Sequence, residues 1–158
     1  MRSNGNNRRM EEPRTLPRLL VIGLVIALVS LYCYGAVEHL SKRNTDMTAT
    51  DQRGYLNQAK SAYEWIYEGE DFQSNRARMP VYPFIQSFFY HPSLTNEEYF
   101  VRGKYVNIAL SLAILAGVYS ILRKRLSLLP AGTLTLVAAF TVFVFKAAYF
   151  HAALLFYF

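Results

Sequence analysis

Two clusters hold the residue types that could do chemistry: Thr50-Asp51-Gln52-Arg53-Gly54-Tyr55 and Arg76-Ala77-Arg78-Met79-Pro80-Val81-Tyr82-Pro83. Asp51 offers a carboxylate at a helix start, shortly after a long apolar run. Such a group can act as general base toward an attacking hydroxyl. It can also help hold a divalent cation, or simply favour the helix dipole. Arg78 stands beside a rigid Pro-x-x-Pro turn. Its planar fork can give two parallel hydrogen bonds to a phosphate, or it can touch anionic headgroups or a nearby acid. Lys146 interrupts an apolar run, either facing the same region as Asp51 or snorkelling to the interface.

Other chemistries find little support. His39, His91 and His151 share no ligand spacing, and His39 and His91 read as interfacial residues. The single cysteine, Cys33, excludes a disulfide within the chain and a Cys-rich metal site. No P-loop, dinucleotide fingerprint, nucleophile elbow or zinc-binding helix occurs. The net charge is +6, but the basic residues flank apolar runs rather than forming a stripe with aromatics. That placement reads as membrane topology control and argues against nucleic acid as a partner.

The elements that must position these residues follow from the apolar pattern. Apolar residues make up 53% of the chain and charged residues 18%, with the charges clustered. Residues 1–18 form a polar tail with five Arg, expected to be disordered. Residues 19–37 run without a charge for about 28 Å as a helix, close to the hydrocarbon thickness. This run reads as an uncleaved anchor, because it is long and ends in bulky Tyr32 and Tyr34. Residues 105–122 and 126–145 give two further spans, separated by the basic turn at 123–125. The stretch 146–158 reads as an outer turn and the start of a fourth helix, broken off part-way.

Between the first two spans lies a polar, aromatic loop, 38–104. It is expected to hold amphipathic juxtamembrane helices at about 51–68 and 83–90. Thr50 can cap the first, Leu56, Ala59, Tyr63 and Ile66 give it an apolar face, and Gly69 ends it. Pro83 suits the first position of the second, which stops before His91-Pro92. The fold class is therefore an all-α membrane protein: three transmembrane helices, a partial fourth and two interfacial helices. The loop carries eight Lys and Arg against nine Asp and Glu, so the positive-inside rule puts it outside. The N-terminus and the 123–125 turn are then cytoplasmic, with the cell (inner) membrane as the expected location.

The ordered set of a first span, Asp51 with Tyr55 and Ala59 downstream, Gly69, then Arg78-x-Pro80-x-Tyr82-Pro83, and a second span ending in basic residues resembles the GT-C membrane glycosyltransferases. The likeness is to the protein O-mannosyltransferase and aminoarabinose-transferase type, over residues 19–158. It implies transfer of a sugar from a polyprenyl-phosphate carrier to an acceptor outside the cytoplasm. On that resemblance Asp51 would be the catalytic acid–base residue. Arg78 and Tyr82 would shape the donor or acceptor pocket, with Tyr55 and Lys146 as further substrate-binding residues. Relatives often carry an acidic residue entering span four, where this chain has Ala153. They also have many more spans, so the chain reads as the N-terminal part of such an enzyme, not expected to act alone: a truncated fragment, a diverged remnant, or one piece of a split protein whose bundle a second membrane chain would complete. The competing reading is a non-catalytic membrane subunit that binds a partner or membrane lipid through its interfacial helices. A transporter or channel piece is weaker still, since no span carries paired charges.

Overall fold

The computed structural model describes residues 18–43, 45–48, 50–73, 80–150 and 152. Five helices carry the described chain, which contains no strand. α1 (Arg18–Lys42) is mostly apolar, carries no charge from Leu19 to Val37, and ends with His39 and Lys42 in its last turn, where a basic residue suits the dipole. α2 (Thr50–Tyr67) follows a short link and has Asp51 in its first turn. It ends through Gly69, whose φ of 76° lets the Glu70 N–H reach back to the Glu64 carbonyl at 3.3 Å. α3 (Val81–Ser87) is short and lies against α2.

α4 (Asn96–Arg123) starts at a reciprocal cap. Thr95 Oγ1 accepts from the Glu98 N–H at 3.2 Å, and the Glu98 carboxylate accepts from the Thr95 N–H at 2.8 Å. After the turn, in which the Arg123 guanidinium donates to the Leu126 carbonyl at 2.9 Å, α5 (Leu128–Lys146) returns across the bundle. Its stretch Ala139–Phe143 is a π-helix.

α1, α4 and α5 are each long and apolar enough to cross a membrane. Their outward faces carry large exposed apolar side chains, among them Leu19, Ile26, Tyr105, Ile121, Leu129 and Val137. Such a surface is costly in water and matched to lipid, consistent with an integral membrane protein. Inside, Tyr32, Ala36, Ile108, Leu115, Phe143 and Val144 form a core between the three helices. The Tyr32 hydroxyl donates to Ser111 Oγ at 2.7 Å and so ties α1 to α4.

A second core, at the end of the bundle where α2 and α3 sit, consists of Tyr55, Leu56, Ala59, Tyr82, Tyr99, Phe100, Phe150 and Ala152. Phe150 is its centre, with ring centroids 5.7 Å from Tyr82, 5.7 Å from Tyr99 and 5.8 Å from Phe100. α2 buries one face here, including Gln52, Tyr55, Leu56, Ala59 and Ala62, while Trp65 and Tyr67 at its far end stay exposed.

The bounds of α3 and α4 differ from the sequence expectation. The helix holding the second span begins at Asn96 rather than near Tyr105, because the Thr95–Glu98 cap starts it within the charged stretch. The second loop helix begins at Val81 and ends at Ser87, with Pro80 rather than Pro83 at its entry. After Lys146 the chain turns at 147–150, as expected, with Ala147, Ala148 and Phe150 buried; residues 151 and 153–158, where the partial fourth helix was expected, lie outside the described set.

Candidate functional site

Asp51 is exposed, and the backbone around it is held on two sides by its neighbour. The Gln52 side chain is buried. Its Nε2 donates to the Asp46 carbonyl at 3.1 Å, and its Oε1 accepts from the Phe150 N–H at 3.2 Å. Asp46 in turn accepts from the Thr48 N–H at 2.8 Å, which shapes the link entering α2. The start of α2 is thereby joined to the segment that follows α5.

Lys146 closes α5 and is half-buried, with Nζ 5.6 Å from the Tyr149 ring centroid. The Gln52–Phe150 bond places Lys146 and Asp51 at the same end of the bundle. Arg78, with the rest of 74–79, lies outside the described residues.

Tyr55 and Tyr82 occupy different surroundings from Asp51. Tyr82 has no exposed surface, and its ring meets that of Tyr55 edge-on at 5.3 Å. Its hydroxyl accepts from Asn107 Nδ2 at 2.9 Å and from Gln86 Nε2 at 3.2 Å. Gln86 Nε2 also reaches Asn107 Oδ1 at 3.0 Å and the Gly103 carbonyl at 3.2 Å. The Tyr99 hydroxyl donates to the Gln86 carbonyl at 3.0 Å. Asn107 Nδ2 further donates to the Tyr149 carbonyl. These groups make a buried polar layer beside Phe150, in which Gln86 Oε1 has no hydrogen-bond partner among the described residues.

Lys104, only 1% exposed, belongs to the same part of α4, with Nζ 4.3 Å from the Phe100 ring centroid. Sequence reasoning passed over Lys104, Gln86 and Asn107. The signal was present: Phe100, Lys104, Ile108, Ser111 and Leu115 recur at helical spacing and share one buried face.

An open groove of about 510 Å³ runs along the outward side of α4, lined by Glu97, Glu98, Val101, Arg102 and Tyr105. None of Asp51, Tyr55, Tyr82 and Lys146 lines it. Among the described residues no three His, Cys, Asp or Glu side chains stand close enough to share a metal ion, so the divalent-cation alternative for Asp51 has no ligand set there. No family model, curated protein or solved structure matches the chain.

Proposed function

We propose that this chain is the membrane-embedded N-terminal part of a GT-C-type sugar transferase, working at the extracytoplasmic face with Asp51 as its acid–base residue. The observation that carries the reading is the contrast at the start of α2. Asp51 is exposed, whereas Gln52, Tyr55 and Leu56 on the same turns are buried. A carboxylate that stays accessible on a backbone pinned by its neighbours can reach an acceptor hydroxyl from a defined place on the protein, as proton transfer requires.

The donor would be a polyprenyl-phosphate sugar, entering from the bilayer with its phosphate at the interface. Asp51 would take the acceptor hydroxyl's proton as that oxygen attacks the anomeric carbon. The bond from that carbon to the phosphate oxygen breaks, and the lipid phosphate leaves with the electron pair. Lys146 at the same end, and Arg78 beside Pro80, would supply positive charge to the departing phosphate. Tyr55 and Tyr82 would act as positioning residues that hold α2 and α3 rigid. The N-terminus and the 123–125 turn would face the cytoplasm of the cell membrane, and a second membrane chain would complete the donor site.

The test uses membranes containing the full chain and radiolabelled hexosyl- and pentosyl-polyprenyl phosphates, following label from lipid to acceptor. Chain-dependent transfer that falls by about 10²-fold or more in Asp51→Asn, with membrane insertion and thermal stability unchanged, supports the proposal. Transfer indifferent to Asp51→Asn overturns it. The burial of Tyr55 and Tyr82 favours a second reading, a non-catalytic subunit whose outer helices bind a partner or lipid. That reading requires the same indifference.

A further inference from the structure

We infer that α3 is immersed in the outer edge of the bilayer's hydrocarbon rather than lying on the membrane surface, and that lipid acyl chains cover its outward face. The pattern of its side chains carries the inference. Tyr82, Gln86 and Ser87 are buried against the protein, so every polar side chain of the helix points inward. Val81, 56% exposed, and Phe88, 64% exposed, point outward, with half-buried Phe84 and Ile85 between them. These four apolar residues fall within about 100° around the helix and make one continuous face. A helix lying on a membrane turns a polar stripe to water; α3 has none to turn.

Lipid also demands that backbone polar groups find partners within the protein. The carbonyls at the end of α3, which a surface helix can leave to water, meet that demand. Ser87 Oγ donates to the Phe84 carbonyl at 2.7 Å. The Gln86 carbonyl accepts from the Tyr99 hydroxyl and from the Phe89 N–H, both at 3.0 Å. The Tyr90 N–H donates to the Ser87 carbonyl at 3.1 Å, and Arg102 Nη1 donates to the Phe89 carbonyl at 3.4 Å.

Contacts with α4 set the depth. The Tyr82 hydroxyl meets Asn107, Gln86 meets Gly103 and Asn107, and Phe89 meets Arg102, so α3 stands level with residues 102–107. Measured from Leu122, beside the basic turn, α4 rises about 28 Å to Gly103, close to the full hydrocarbon thickness. Any tilt of α4 carries that level deeper. Arg102, which reaches Phe89, lies about 60° around α4 from exposed Tyr105, so the apolar face of α3 runs on into the lipid-facing side of that span. α2 differs, since Arg53 and Asn57 stay exposed on it. This placement holds whether or not the chain transfers sugar, and whichever side of the membrane this end faces.

The test is electron paramagnetic resonance of the full chain in vesicles of phosphatidylethanolamine and phosphatidylglycerol, with Cys33→Ser and one nitroxide label per chain. Labels at Val81→Cys and at Phe88→Cys should collide readily with oxygen and lose contact with a water-soluble nickel chelate, as should a label at exposed Val137→Cys within α5. A label at Asn57→Cys should show the reverse. Circular dichroism reads the fold of each variant, and two labelled positions on exposed sites guard against the failure of one. Nickel-chelate contact at the α3 positions equal to that at Asn57→Cys places α3 in water and overturns the inference. Protection from both reagents places protein against α3, a second copy or another chain, and overturns it as well.

Discussion

A single methyl group added at Gly103 tests how closely the outer core is assembled. A Cβ there would lie 2.0 Å and 2.6 Å from two carbons of the Phe150 ring and 2.9 Å from Gln86 Oε1. Carbon atoms in contact sit about 3.5–4.0 Å apart, so the ring would have to retreat by about 1.5 Å. It has nowhere to go, because Tyr82, Tyr99 and Phe100 surround it. Overpacking of this kind costs about 1–3 kcal/mol, while replacing a helical glycine by alanine returns up to about 1 kcal/mol. With the full helical return of about 1 kcal/mol, Gly103→Ala should therefore lower stability by up to about 2 kcal/mol net. Gly132→Ala, whose Cβ meets nothing within 4 Å, should be neutral or up to about 1 kcal/mol more stable. Both are read from reversible unfolding in mixed micelles, followed by circular dichroism. Phe150→Leu in the Gly103→Ala background should recover part of the loss, since the two sites share one space. Equal stability of Gly103→Ala and Gly132→Ala would refute the packing described for Phe150.

Two further outcomes follow from the hydrogen bonds and the titrating groups. Tyr32→Phe removes the donor to Ser111 and should cost about 0.6–1.7 kcal/mol, with a matching coupling energy in a double-mutant cycle with Ser111→Ala; additive effects would contradict the bond between α1 and α4. The Tyr90 phenol is raised above its ordinary value of 10.0, first by burial and then by the carboxylates of Glu64 and Glu68 and by Tyr63. Its contribution to stability is complete below about pH 10 and is lost as pH rises past that point, because the unfolded chain releases the proton first. Stability measured from pH 9 to 11.5 should fall less steeply in Tyr90→Phe than in the parent, and parallel slopes would count against this.

The three spans were legible because uncharged runs of bilayer length leave few alternatives, and α2 was legible from its acidic first turn and its terminal glycine. The start of α4 was harder. Glu97, Glu98, Arg102 and Lys104 make residues 96–104 look like loop, and only the Thr-x-x-Glu spacing at Thr95 signals a helix. Lys104 illustrates why charge alone misleads: it shares a face with Phe100 and Ile108, and that face is buried. The role of Phe150 could not be read, since a sequence gives no pairing between an aromatic after the third span and a glycine in the second. The same holds for Tyr55 and Tyr82. Their spacing marks them as notable, but only the packing of α2 on α3 directs their rings inward.

The account stands on Asp51 being open to water at the extracytoplasmic end of the bundle. The direct measurement replaces the one native cysteine, Cys33, with serine and reads labelling of Asp51→Cys by a membrane-impermeant maleimide in right-side-out vesicles. Rapid labelling is expected at Asp51→Cys, none at Tyr55→Cys in the core, and labelling of Ser127→Cys only after permeabilisation. Labelling of Asp51→Cys that needs permeabilisation, or fails altogether, would contradict the account.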